Sequence, residues 1–259
     1  MSVPTIRVTD LALQYPGTPA PTLNGVSFAV NEGEFVSVVG PSGAGKTTLL
    51  NCISGLTHPT RGGVFVDGEE VTGPNKHIAI VFQDYSRSLF PWMTAAKNVG
   101  LPLTSRGLSK AEIDARVAEA LAAVGLQNHG EKYTWEMSGG MQQRVAIARA
   151  LAQKPRVLIM DEPMASVDAQ TRADLEDLVL RLWAEMGITA ILVTHDIDEA
   201  IYMSDRVVVL STPPTAVHDV IDIDLARPRD QIGTKDEPDF AHLRTGLFTE
   251  IRALRASQK

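Results

Sequence analysis

Residues 40–47, Gly-Pro-Ser-Gly-Ala-Gly-Lys-Thr, fill the pattern G-x-x-x-x-G-K-[ST], and no other segment constrains this chain as tightly. The pattern has a mechanism only between an apolar strand and a helix. Phe35–Val39 supplies the strand, and the run from Lys46 to Leu56 reads as the helix. Glycines let successive backbone N–H groups curl around an anion, while the helix adds its positive dipole end. Gly40, Pro41, Ser42, Gly43, Ala44, Gly45, Lys46, Thr47 and Thr48 are therefore the candidate nucleotide-binding loop. Lys46 is placed to reach the β- and γ-phosphates, and the Thr47 hydroxyl to ligate Mg²⁺.

A loop of this kind belongs on an α/β scaffold, and the hydrophobic pattern agrees. Ile6–Val8, Phe28–Val30, Phe35–Val39, Gly63–Val66, Ile78–Phe82, Val157–Met160, Ile188–Val193 and Val207–Leu210 read as short, β-branched strands. The last four are nearly continuous apolar runs, as expected for strands covered on both faces of a mainly parallel sheet. Helices are expected over Lys46–Leu56, Lys110–Val124, Gly139–Gln153, Thr171–Glu185 and Ile197–Met203. Ser109 and Glu112 form a capping box ahead of the second of these. From Leu89 to Lys154 the pattern offers no convincing strand, so a helical lobe inserted into an α/β core is expected. The domain reading is thus a discontinuous core over residues 1–88 and 155–225, an insert over 89–154, and a tail over 226–259. The tail opens as a polar, Pro-punctuated stretch and ends in an amphipathic helix carrying Phe240, Leu243, Leu247, Ile251 and Leu254.

Charge decides how an anion can be held. Twenty-four basic and thirty-one acidic residues leave the 259-residue chain at −7, so no global positive field exists to hold DNA or an anionic membrane. Phosphate must be held by local geometry. At 44% hydrophobic and 21% charged the chain has a globular composition, and its apolar runs fall far short of a membrane span. The single cysteine, Cys52, excludes an intrachain disulfide and fits a reducing compartment. The opening Met1–Arg7 lacks the apolar core of a signal peptide, so a cytoplasmic location is expected.

Three further segments carry chemistry. Val157-Leu-Ile-Met-Asp161-Glu162 is an apolar strand that ends in two carboxylates at the sheet edge where open α/β sheets bind ligands. Asp161 is a candidate for the Mg²⁺ shell, and Glu162 for the general base that orients the attacking water. His195 ends another apolar strand, where it can either hydrogen-bond a γ-phosphate or serve as a structural turn residue. Gln83 follows Ile80–Phe82 and places a neutral amide toward metal and water, or lies on a surface loop. Met137-Ser138-Gly139-Gly140-Met141-Gln142 reads as a helix start with Ser138 as N-cap and two glycines that leave N–H groups open. It is a candidate second anion site.

Taken in order, these segments resemble the ATP-binding cassette ATPases over about residues 3–225. The phosphate loop, Gln83, Ser138-Gly139-Gly140, Asp161-Glu162, Ser166-Val-Asp168 and His195 follow one another as in that family. Two positions depart: Met137 stands for the usual Leu of the signature and Met141 for the usual Gln. Both are side chains beside the backbone donors, so the anion site is preserved. The resemblance implies a phosphate-loop, RecA-like core with a mainly parallel sheet, an N-terminal antiparallel β region and an inserted helical subdomain. It implies ATP and Mg²⁺ as cofactors, with Thr47, Gln83 and Asp161 on the metal and Glu162, His195 and Gln83 in catalysis. Tyr15, 25 residues before Gly40, would stack on adenine. The resemblance also implies a head-to-tail dimer of two copies. In it Ser138, Gly139, Gly140 and Gln142 act on the partner's ATP, and Asp168 lies at the dimer seam.

Within that family, 55 residues between Gln83 and Ser138 leave no room for the long coiled-coil insertion of the DNA-repair relatives. One phosphate loop and no fused membrane segment favour the ATPase subunit of an importer, held at the inner face of the cell membrane by separate permease subunits. Such a system also draws on a solute-binding protein and no nucleic acid. Phe82-Gln-Asp-Tyr85, Leu89-Phe-Pro-Trp92 with Asn98, and the tail Leu225-Ala-Arg-Pro-Arg-Asp-Gln resemble importers of nitrate, sulfonates and taurine, a pattern shared by importers of bicarbonate or pyrimidine precursors. The alternatives are a soluble cassette ATPase with mechanical or regulatory work, and a nucleotide-binding module that does not hydrolyse. Intact Lys46, Glu162 and His195 speak against the last.

Overall fold

The computed structural model describes residues 5–84 and 88–256; Tyr85 of the Phe82–Tyr85 stretch lies outside the described residues. In chain order the elements are β1 (Ile6–Leu13), β2 (Leu23–Val30), β3 (Phe35–Val39), α1 (Lys46–Ile53), β4 (Arg61–Val66), β5 (Glu69–Glu70) and β6 (Ile78–Val81). They continue as α2 (Ala95–Gly100), α3 (Lys110–Ala123), α4 (Gly139–Leu151), β7 (Val157–Asp161) and α5 (Ala169–Met186). The chain closes with β8 (Thr189–Val193), α6 (Ile197–Met203), β9 (Arg206–Leu210), β10 (Val217–Asp222), α7 (Gly233–Asp236) and α8 (Pro238–Ala256). The elements fall into two units, residues 1–75 with 187–259, and residues 76–186.

The first unit carries two sheets. Its N-terminal sheet is antiparallel, with β1 between β2 and β4 and β5 on the far side of β4. In the other, β3 pairs in parallel with β8 on one side and with β9 on the other, and β10 joins β9 antiparallel. Every residue of β3 and β8 is buried. That explains their mostly apolar sequences, broken only by the buried Ser37 and Thr189, and each fully buried Val or Ile contributes ~1.5–3 kcal/mol. The second unit pairs β6 and β7 in parallel, Ile78 against Val157 through Val81 against Met160, and contains α2 to α5.

Several elements are longer or shorter than sequence reading expects, each for a physical reason. β1 runs on to Leu13, past the expected end at Val8. Asp10 takes a left-handed φ of 45°, a bulge that shifts the register and lets the strand continue. α1 stops at Ile53 because Gly55 turns left-handed at φ 76°, and a Cβ there would lie 2.0 Å from the Gly73 carbonyl oxygen. β10 has no counterpart in the sequence reading, since an edge strand with a mostly exposed His218-Asp219 stretch carries no apolar face. The Ser109–Glu112 capping box forms as expected.

Candidate functional site

In the first unit the site begins where β3 ends. Gly43 and Gly45 hold left-handed φ values of 81° and 73°, which a side chain would strain. A Cβ on Gly40 would lie 2.9 Å from the Leu210 carbonyl oxygen, so the loop can press against the end of β9 only as glycine. α1 has Gly45 at its N-cap and no side-chain cap, which leaves its first N–H groups for a ligand. Lys46 is buried, and its Nζ donates to the carbonyls of Gly40 at 3.0 Å and Pro41 at 3.1 Å. The ammonium is thus fixed inside the loop. Ser42 and Thr47 face solvent, with Thr48 half-buried.

Tyr15 is 41% exposed, and its hydroxyl lies 3.4 Å from Thr48 Oγ1. The ring therefore stands beside the first turn of α1 with much of its surface open. His195 comes from the same sheet edge. Val38 of β3 is level with Val193 of β8, so the phosphate loop and His195 both follow the C-terminal ends of adjacent parallel strands. His195 is exposed, and its flanks are pinned. The Thr194 hydroxyl donates to Glu199 and accepts from the Asp196 N–H, and Asp196 caps α6 through the N–H groups of Asp198 and Glu199.

In the second unit the parallel pairing of β6 and β7 brings two predicted residues together. Gln83, just past β6, donates from Nε2 to Glu162 Oε2 at 2.9 Å. Asp161 ends β7 and is buried; Glu162 takes a left-handed φ of 44°. A non-glycine residue held there costs ~1 kcal/mol or more, and such strain persists where the surroundings fix the side chain's direction. Further along, Ser138 is the N-cap of α4, its hydroxyl accepting from the Met141 N–H at 3.3 Å. Ser138 is exposed and Gly139 and Gly140 are half-exposed, whereas Met137 is buried and so fills the apolar anchoring place expected of Leu. Gln142 donates to the Met137 carbonyl at 3.1 Å. Asp168 accepts from the Thr171 N–H at 3.0 Å and from its hydroxyl at 2.7 Å, and those two bonds hold its carboxyl below the usual range.

Two braces in this unit have structural roles that the sequence does not show, although the resemblance includes Asn98. Arg149 of α4 reaches Ser88, donating to its hydroxyl at 2.9 Å, and burial lowers the guanidinium pKa. Asn98, fully buried, donates to the carbonyls of Phe90, Met93 and Thr94 and accepts from the Phe90 N–H. It therefore organises the Phe90–Thr94 loop from within, leaving Trp92 68% exposed. Only the pairing partners, several residues to dozens of residues away, would have revealed either.

A glycine loop between a buried parallel strand and a helix, with strand-end carboxylates, defines a phosphate-loop nucleotide-binding protein of α/β class with an added antiparallel sheet. Comparison with known proteins narrows the class. The ABC transporter family profile matches residues 23–165. NasD of Klebsiella oxytoca, a nitrate transport protein, is 43% identical over 87% of each chain. TauB of Chromobacterium violaceum, a taurine import ATP-binding protein, is 40% identical over 96% of each. NrtC of Synechocystis, a nitrate import ATP-binding protein, is 44% identical over 92% of this chain, which spans only 36% of NrtC. Among solved structures, cbiO1 of Clostridium perfringens, part of the transporter complex cbiONQ, superposes with TM-score 0.78 at 30% identity over 86% of this chain and 90% of that one. A dimeric ATP-binding cassette in a post-hydrolysis state with ADP and Pi superposes with TM-score 0.73 at 33% identity over 84% and 98%. The chain belongs to the ABC transporter family of ATP-binding proteins.

Proposed function

We propose that this chain is the ATP-binding and ATP-hydrolysing subunit of an ABC importer that drives uptake of a small anion, such as nitrate, taurine or another sulfonate, through separate permease subunits. The substrate class rests on the similarity to NasD and TauB, and a bicarbonate transport relative keeps that anion in the same set. The observation that carries the chemistry is the 2.9 Å bond from Gln83 to Glu162. It fixes the direction of a carboxylate at a strand end, the group that acts on water in this reading.

In this reading residues 40–48 cradle the phosphates, Lys46 neutralises β- and γ-oxygens, and Tyr15 stacks on adenine. The Thr47 hydroxyl, the Gln83 amide and the Asp161 carboxylate are oxygen donors of the kind Mg²⁺ takes beside phosphate. Held by these three groups, Mg²⁺ would supply charge neutralisation for phosphoryl transfer. Glu162 takes the proton of the attacking water, and His195 hydrogen-bonds the γ-phosphate. Two copies assemble head to tail, so that Ser138, Gly139, Gly140 and Gln142 of one close on the ATP held by the other, with Asp168 at the seam. ATP holds the pair closed and hydrolysis releases it, a two-state device driven by differential contacts. The boundaries that go with this reading are a core of 1–88 and 155–225, a helical insert of 89–154 and a tail of 226–259, docked on the inner face of the membrane.

The test is reconstitution with the neighbouring permease in vesicles. Uptake of labelled nitrate, taurine or bicarbonate should require ATP inside and stop with Lys46→Ala. ATP hydrolysis that no permease or solute stimulates would overturn the importer assignment.

A further inference from the structure

Thr171 occupies a position that neither its exposure nor its residue type would single out. It is the third residue of α5, and two parts of the proposed composite site meet on it. On one side its backbone N–H and hydroxyl both hold Asp168, at 3.0 and 2.7 Å. On the other, a Cβ built on Gly140 would lie 2.5 Å from Thr171 Cγ2, far inside van der Waals contact. The methyl therefore fills the space that a side chain at Gly140 would take. Threonine is β-branched, so one χ1 angle sets hydroxyl and methyl together. Turning the methyl away from Gly140 swings the hydroxyl off Asp168.

We propose that Thr171 is a positioning residue that clamps the start of the signature helix to Asp168, so that the two segments offered to the partner's ATP move as one piece. The proposal rests on the reading of Ser138-Gly139-Gly140 and Asp168 as elements acting across a dimer. It also gives a reason for glycine at position 140 within this chain: the neighbour is a locked threonine side chain. Lowering of the Asp168 pKa by the Thr171 N–H and hydroxyl agrees with a carboxylate held in one place.

Four variants of the full chain test it. Thr171→Val keeps the methyl and loses the hydroxyl; Thr171→Ser keeps the hydroxyl and loses the methyl. Thr171→Val should leave nucleotide affinity intact and lower kcat by ~10-fold or more, as misplacement of a positioned group does, while Thr171→Ser retains most of kcat. Gly140→Ala should be as impaired as Thr171→Val, and Gly140→Ala with Thr171→Ser should recover most of the loss. A double variant no more active than Gly140→Ala would overturn the clamp, because the glycine would then be required by something other than Thr171. So would a Thr171→Val kcat within ~2-fold of the parent. Thermal melts and nucleotide affinity separate these outcomes from misfolding.

Mixing then decides which site the clamp serves. A clamp acting across the dimer gives restored ATPase when Thr171→Val chains are mixed with Lys46→Ala chains, since one composite site escapes both defects. Mixtures with Ser138→Arg chains stay impaired, since each site keeps one defect. The reverse pattern would mean that Thr171 serves its own chain's nucleotide and would overturn the proposal. The composite reading has its own control, Ser138→Arg mixed with Lys46→Ala. Restoration there with failure of the Thr171 mixtures removes only the clamp; no restoration there removes the composite site itself.

Discussion

Replacing Glu162 by glutamine separates the catalytic from the structural part of the site. The Gln83 amide now donates to Glu162 at 2.9 Å. In Glu162→Gln the side-chain carbonyl can still accept that bond, and the φ of 44° is no harder for glutamine than for glutamate, since neither is branched at Cβ. The bond changes from charge-assisted to neutral, a loss of ~1 kcal/mol at most, so the denaturation midpoint should barely move. Chemistry fares differently. Without a base to take the water's proton, turnover should fall by ~10²-fold or more, equivalent to ~2.7 kcal/mol in the barrier. ATP affinity should persist, because the loop from Gly40 to Thr48 and the ring of Tyr15 are untouched. The assay is phosphate release at saturating ATP, with nucleotide affinity and urea melts in parallel and sizing chromatography to detect an accumulating ATP-bound dimer. Turnover within ~3-fold of the parent, with ATP bound and the fold intact, would remove Glu162 from the role of base.

Tyr15→Ala should weaken ATP binding by ~1 kcal/mol through lost stacking, while Tyr15→Phe is nearly silent, because the hydroxyl's contact with Thr48 is 3.4 Å long; equal losses by titration calorimetry would shift the role from ring to hydroxyl. Burial pushes the Cys52 thiol up to about 11, so at pH 8 the native protein should react with a disulfide reagent ~100-fold more slowly than the urea-unfolded chain; matching rates would contradict its burial. Burial, and secondarily Asp219, raises the Glu250 pKa above 4.5 against the opposing pull of His218, whose Nε2 lies 3.4 Å away. The folded state then holds this proton more tightly than the unfolded chain, so the group's contribution to stability falls as pH rises through 4.5 and the raised native value. Glu250→Gln should raise Tm at pH 7 and lose that advantage below pH 4.5; a gain that is the same at both would rule out the titration.

What the sequence disclosed and what it hid divide along a physical line. The phosphate loop was legible because its demands are local: left-handed φ at Gly43 and Gly45, a strand before, a helix after. The same holds for Ser138 as a cap and for Asp161 and Glu162 at the end of β7. The bulge at Asp10, the edge strand β10, the Arg149 brace and the Thr171 clamp were not legible, because each is set by what lies opposite in the fold. The tail shows the difference most clearly. Its opening Arg-Pro-Arg-Asp stretch reads only as polar and Pro-punctuated. In the fold Arg227 donates to the Met203 carbonyl at 2.9 Å, and Arg229 to those of Ile201 and Tyr202 at 2.9 and 2.8 Å. These are the last carbonyls of α6, whose C-cap is Ser204 in an extended conformation and not a left-handed glycine. A helix that ends without a glycine leaves acceptors unmet, and here guanidinium groups from two dozen residues downstream meet them. Burial draws the Arg229 pKa down to about 10, still far above neutrality, so the cap stays charged. At the other end of α6 Arg244 pairs with Asp198 at 2.6 Å, three residues from His195. The tail thus holds both ends of the helix that begins beside His195, a role written in neither its composition nor its periodicity.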